Sequence, residues 1–176
     1  MQTLNPKAKI GVALINLGTP DSTKVSDVRK YLREFLMDER VIDVPFLTRF
    51  LLVNLIIAPF RAPKSAKVYR EVWTEKGSPI KVYGEEITRL LQDALGDEYL
   101  VSLGMRYQNP TLESCLNSLK DKGLEKIIVV PLFPQYASAT TGSVHQKVMK
   151  IVRQWRIIPE MVMVQSFFDH PQFIEA

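Results

Sequence analysis

The sequence predicts an α/β fold: a doubly wound, four-stranded, mainly parallel sheet flanked by helices, in a single domain over residues 1–176. Three observations carry this. Four short apolar runs have the length and β-branched content of strands covered on both faces. The stretches between three of the joins repeat apolar residues every three or four positions, as helices packed on a sheet do. Gly, Pro, Asn and Ser punctuate the joins. Alternating strands and helices call for right-handed crossovers that place helices on both faces. A length of 176 residues suits one core and is too short for two full ones.

The first run, residues 10–17, leaves through Gly18-Thr19-Pro20-Asp21, a tight turn after a buried strand. Val25, Val28, Leu32 and Phe35 then mark a helix ending near Met37, with Ser22 or Asp21 placed to accept from its first free backbone N–H groups. Residues 46–58 are apolar almost all the way round, which suits either a deep core segment or the greasy wall of a cleft. The most lipophilic part, residues 50–60, falls short of the roughly 20 residues that span a bilayer and contains Asn54 and Pro59. Contact with a membrane surface through Phe46 to Phe60 is the expectation, not a crossing.

Ser78-Pro79 starts the next helix, with the hydroxyl as cap and the proline at the first helical position; Ile87, Leu90, Leu91 and Ala94 form its buried face and Gly96 closes it. Residues 99–105 make the second strand. Asn109-Pro110 opens a helix whose stripe is Leu112, Cys115, Leu116 and Leu119, stopped at Gly123. Residues 126–133 are the third strand, and a loop rich in Ser and Thr leads to a helix carrying Val144, Val148, Ile151, Val152 and Trp155. Residues 161–165 are the fourth strand. Residues 169–174 look like a capped helix start, so the chain reads as a piece of something longer.

Composition removes several function classes. Lys and Arg number 23 against 19 Asp and Glu, a net charge of +4, and these cations gather into no basic stripe, so no nucleic-acid partner is expected. The single Cys115 excludes an internal disulfide framework and any site of clustered cysteines, and suits a reducing cytosol. Residues 1–9 are polar and lack the pattern of a secretory signal.

Ligands of open parallel sheets sit beyond the carboxyl ends of the strands. The loop after the third strand, residues 134–143, combines four hydroxylated residues with Gly142 and can hold an anion on backbone N–H groups, although its spacing matches neither a Walker loop nor a dinucleotide fingerprint; a capped helix start is the ordinary alternative. Residues 61–80 place Arg61, Lys64, Tyr69, Arg70 and Ser78 just after the greasy run. That set suits an amphiphilic anion whose apolar body lies on the wall while Arg61 grips a carboxylate, against the alternative of a solvated helix face. Arg106 ends the second strand, either facing a ligand or paired with a nearby carboxylate. His145 and His170 have no second ligand at metal spacing, so no metal site is expected.

The segments LINLGTPDS, APFRAPKSAKVYREVW with GSPI, GMRYQNPTLE and PLFPQYASATTGS occur in this order. Together they resemble ferrochelatase, the family that inserts ferrous iron into a porphyrin in heme biosynthesis. The resemblance runs from about Lys9 to the end. It implies two similar doubly wound domains, of which this chain is the amino-terminal one, with the carboxy-terminal domain absent. It also implies that the proton-accepting His, in a Ser-Ala-His-Ser/Thr-Leu-Pro segment, and its partner Glu lie downstream, so this chain holds no catalytic residue. Porphyrin contacts would fall on Arg61, Tyr69 and Ser78, with Arg61 and Ser78 on propionates, and loop contacts on Arg106 and Tyr136. Leu17 matches the position facing the metal side of the macrocycle, where an aliphatic residue cannot coordinate iron. Some relatives place a cluster-ligating Cys in the loop where this chain has Ala137-Ser138-Ala139, so no iron–sulfur ligand and no resident cofactor are expected, iron being a substrate. The implied setting is the cytoplasm, peripheral at the inner membrane. The alternatives are a cobalt or nickel chelatase for another tetrapyrrole and a non-catalytic module that binds an anionic ligand.

Overall fold

The computed structural model describes residues 8–176; the first seven residues of the polar opening lie outside the described part. Four strands form one sheet in the order β2-β1-β3-β4: β1 (Ile10–Gly18), β2 (Tyr99–Tyr107), β3 (Lys126–Pro131) and β4 (Glu160–Met163). Every pairing is parallel, with Ile10 opposite both Tyr99 and Lys126, and Lys126 opposite Glu160. The fold class expected from the pattern is the one observed.

Alternation along β1 decides what each face holds. Ala13 and Ile15 point to one side, where Ile127 and Val129 of β3 meet α5 (Leu112–Leu119) and α6 (Ser143–Val152). Val12 and Leu14 point to the other, with Leu103 and Met105 of β2 against α4 (Pro79–Leu95). A third cluster lies where α1 (Val25–Leu36) packs on α3 (Ala58–Val72), joining Val28, Tyr31 and Leu32 to Ala62, Ala66 and Tyr107.

Residues 46–72 resolve the choice between core and wall. α2 (Phe46–Leu51), a π-helical stretch (Leu52–Ile57) and α3 run on as one helix, Phe46–Val72. Val53, Ala58, Ala62 and Ala66 are fully buried, whereas Phe46, Leu47, Leu55, Ile56 and Phe60 are exposed. It is a wall. At 27 residues the helix is longer than the apolar run suggested, and by length and composition it is sufficient to cross a membrane. Its alanine side is nevertheless committed to α1, and Arg49, buried at its start, donates from Nη1 to the carbonyls of Ile42 and Val44, both at 3.0 Å.

Several local expectations change. Ser22 accepts the Lys24 N–H at 3.1 Å and donates to Asp27 Oδ2 at 2.5 Å, so it orders the turn ahead of α1 rather than capping the helix. On α4 the buried side is Gly84, Leu91 and Leu95, while Ile87, Leu90 and Ala94 face outward. The reason is close approach: a Cβ on Gly84 would sit 3.2 Å from Leu103 Cδ2, so the helix settles on its smallest residue and its larger apolar stripe turns away. α5 begins at Leu112, capped by Thr111 Oγ1 accepting the Ser114 N–H at 3.0 Å, not at Asn109-Pro110. β3 stops at Pro131, short of Phe133, and β4 ends at Met163. The hydroxyl-rich loop contains a π-helical turn, Ser138–Gly142, running directly into α6. The short helix α7 (Pro171–Glu175) stands at the residues read as a helix start.

Candidate functional site

In the strand order β2-β1-β3-β4, connections leave β1 toward β2 and then cross back to β3, so the direction switches between β1 and β3. A crevice opens at such a switch point beyond the carboxyl ends of the strands. The loops there are those after Gly18 and Pro131, which carry two of the singled-out motifs. Gly18 is obligatory: its φ is +112°, and a Cβ would lie 1.9 Å from the Tyr107 carbonyl oxygen.

Ser78 joins this edge through Thr19. A bridge between Thr74 and Gly77 turns the chain after α3, and Ser78 follows as the residue preceding α4. Its hydroxyl makes no cap bond, contrary to expectation, but accepts from Thr19 Oγ1 at 2.8 Å with both groups buried. A serine hydroxyl that accepts one bond still has a proton to donate. Leu17, just before Gly18, is partly buried against the α1–α3 cluster.

Arg61 and Tyr69 stand on α3. Arg61 is exposed, directly after the exposed Phe60. Tyr69 is half-buried with its ring edge-on to Tyr31 at 6.3 Å and to Trp73 at 6.3 Å. Burial pushes its phenol up, opposed by a hydrogen bond with Tyr31 and by the Arg61 charge. The aromatic contacts continue from Tyr31 to Phe35 at 6.0 Å and from Phe35 to Tyr107 at 5.2 Å. A packed row of rings therefore ties the wall to the end of β2.

At that end Arg106 has a different fate. Its side chain is 15% exposed and its Nη2 meets Asp38 Oδ2 at 2.5 Å, while the Asp38 side chain is 4% exposed. Arg106 Nε donates to Ser143 Oγ at 2.7 Å, and the guanidinium lies 4.4 Å from the centre of the Tyr107 ring. The same carboxylate oxygen accepts from Ser143 Oγ at 2.5 Å and from Tyr107 OH at 2.8 Å; the other oxygen takes the Arg40 N–H at 2.8 Å. Burial by itself would raise the Asp38 pKa, but the hydrogen bonds from Ser143, Arg40 and Tyr107 and the Arg106 charge outweigh it and hold the carboxyl below its ordinary 3.8. Burial pushes the Tyr107 phenol up. The pairing with a carboxylate left open by the sequence is thus the one observed, and it locks β2, the end of α1 and the start of α6 together.

Tyr136 lies above this hub, mostly exposed, in the loop of residues 134–143. A Cβ on Gly142 would come 2.9 Å from Tyr136 OH and 3.0 Å from Arg40 Nη1, so the missing side chain makes room for both. Arg40 also donates to Ser138 Oγ at 3.2 Å and Gln146 Oε1 at 2.6 Å, bracing the loop from outside. Asp38 and Arg40 carried no periodic or motif signal of their own, and Thr19 and Ser143 lay inside quoted motifs without being singled out, because only the tertiary contacts reveal the roles of all four in shaping the site. His145 Nε2 lies 3.1 Å from the Val164 carbonyl, and burial lowers its pKa against that contact; His170 is exposed at the start of α7. Among the described residues no three His, Cys, Asp or Glu side chains group as a metal site.

A family model for ferrochelatase matches residues 9–176. The chain belongs to the ferrochelatase family. The ferrochelatase of Legionella pneumophila strain Corby is 46% identical over 166 residues, which is 94% of this chain and 50% of that relative. The ferrochelatase of Coxiella burnetii strain RSA 493 is 46% identical over 168 residues, 96% of this chain and 46% of that relative. The chain spans about half the length of the curated ferrochelatase relatives it matches.

Proposed function

We propose that this chain is the amino-terminal domain, residues 1–176, of a cytoplasmic lyase that inserts ferrous iron into protoporphyrin or a related porphyrin, and that it supplies one wall of the porphyrin cleft. The observation that carries the reading is the pairing of Arg61, exposed at the end of an apolar wall, with a switch-point edge holding Ser78 and its undonated proton. An apolar macrocycle would lie on the wall beside Tyr69, with propionates reaching Arg61 and Ser78. Leu17 would face the metal side as a hydrocarbon, leaving iron without a ligand there. Tyr136 would touch substrate from the loop, while Arg106, which gives Nε to Ser143 and Nη2 to Asp38, would act by holding that loop in place.

Insertion removes two pyrrole N–H protons from a macrocycle bent to admit the metal, so it needs a base and a second wall. The family resemblance puts both in the other half of the protein, and no Ser-Ala-His segment occurs in these 176 residues. The partner is then the carboxy-terminal domain, iron is a substrate, and no resident cofactor is required. The exposed row of Phe46, Leu47, Leu55, Ile56 and Phe60 supports peripheral contact of the wall with the inner membrane.

Anaerobic iron-insertion assays on the full-length protein and on the 176-residue chain test the proposal. Turnover by the first and none above the uncatalysed rate by the second is expected; saturable turnover by the short chain would place the proton chemistry within it. Fluorescence titration of the full-length protein with porphyrin and with its propionate diester checks the Arg61 contact: the loss on Arg61→Ala should vanish with the diester.

A further inference from the structure

The loop of residues 134–143 carries Tyr136, and its middle is held with little redundancy. Its start is fixed by the Phe167 N–H on the Pro134 carbonyl at 2.9 Å, and its end by Ser143 on Asp38. Among the described residues, a single hydrogen bond reaches residues 135–141 from outside the loop: Arg40 Nη1 donates to Ser138 Oγ at 3.2 Å. Whatever aims that guanidinium acts on the loop.

Two neighbours aim it. Arg40 Nε donates to Gln146 Oε1 at 2.6 Å, and Gln146 Nε2 donates to Glu39 Oε1 at 2.7 Å. Consecutive residues thus use both ends of one amide, which cannot flip without setting its carbonyl against the Glu39 carboxylate and its NH2 against the guanidinium. The base of this arrangement is firm. The Asp38 side chain, 4% exposed, takes the Arg40 N–H, and the N–H groups of Val41 and Ile42 close on the Asp38 carbonyl at 3.1 and 3.0 Å. From there the chain enters the wall helix, whose Arg49 holds the Ile42 and Val44 carbonyls.

Gly142 completes the set. Its φ of −61° and ψ of −42° are ordinary for a helix, so backbone freedom does not account for the glycine. Space does: the Cβ that it lacks would crowd the Tyr136 phenol and the Arg40 guanidinium at once. We propose that Glu39, Arg40 and Gln146 form a clasp that sets where Tyr136 stands over the porphyrin cleft, with Arg40 as the positioning residue and Gly142 as the space it needs. This rests on the porphyrin reading and on Tyr136 touching substrate from the loop.

Steady-state iron insertion and porphyrin fluorescence titration with the full-length protein test it. Arg40→Ala and Gln146→Leu should each raise the porphyrin KM by about three- to tenfold, the range for losing one partly exposed hydrogen bond. The kcat should stay within about twofold, because a misplaced contact costs binding common to ground and transition states. Combining the two substitutions should be no worse than either alone, since both break one chain of contacts. Arg40→Lys should recover part of the loss, reaching one partner but not both. Gly142→Ala separates position from stability: alanine is the better helix former, so the melting temperature should hold or rise while KM worsens. Tyr136→Ala should itself raise KM and make Arg40→Ala silent on top of it. Unchanged KM in Arg40→Ala and Gly142→Ala, or an Arg40→Ala loss that persists in full without the Tyr136 ring, would overturn the clasp and leave the porphyrin reading standing. Failure of the unaltered full-length protein to bind porphyrin would overturn both.

Discussion

Arg61 and Arg106 both follow apolar runs and both sit in motifs that resemble one family, yet their surroundings are opposite. Arg61 is exposed beside Phe60. Arg106 is nearly enclosed, with Asp38, Ser143 and the Tyr107 ring sharing its charge. A guanidinium whose fork is committed to a buried carboxylate and a serine is a poor grip for a second carboxylate, whereas an exposed one has all its donors free. The comparison separates a residue positioned to bind from a residue that positions others.

The largest expected effect belongs to the buried member. Asp38→Asn leaves the Arg106 charge without its counter-ion and should cost about 3 to 5 kcal/mol in a urea titration. A loss near zero would show that the hub does not hold the edge together. The pH dependence follows in sign: a carboxyl whose folded pKa lies below 3.8 contributes stability that is fully present above that value and is lost as pH falls through the lower folded one. The acid limb of the stability curve should flatten in the Asn variant.

Next comes the exposed arginine, in the full-length protein. Arg61→Ala should weaken porphyrin binding by about 1.5 to 3 kcal/mol while shifting stability by less than about 0.5 kcal/mol. Arg61→Lys, which keeps charge but loses the planar fork, should recover part of the binding. A variant that lost stability instead would make Arg61 a second Arg106.

The same contrast runs round the helix that carries Arg61. Val53→Ala removes buried methyl groups and should cost about 2 kcal/mol, from about 0.8 kcal/mol per buried group plus a cavity contribution. Ile56→Ser, on the exposed side, should change the midpoint by less than about 0.5 kcal/mol and improve solubility. Equal losses would mean that the wall is covered. Ser78→Ala falls between these two: loss of the Thr19 bond should cost about 1 kcal/mol, with a further loss of porphyrin affinity in the full-length protein if its proton meets a propionate.

The alternation of strands and helices, the apolar runs of β1 and β3 and the stripe of Leu112, Cys115, Leu116 and Leu119 were legible because burial on a sheet imposes local periodicity, and local periodicity is what a sequence displays. Cys115 accordingly lies in the core, where burial pushes its thiol up to about 11. The motifs that name the family were legible for the same reason, being contiguous. Which side of α4 turns inward was not, because a contact of Gly84 with Leu103 overrode the larger apolar stripe. Nor was the fate of the two arginines: Asp38 and Ser143 lie 68 and 37 positions from Arg106, and no local pattern encodes a partner at that distance. The sequence by itself therefore determined the layers and the family, while the tertiary structure decided which polar groups are spent inside the fold and which remain for a ligand, since that depends on contacts made only when distant segments pack and exclude water.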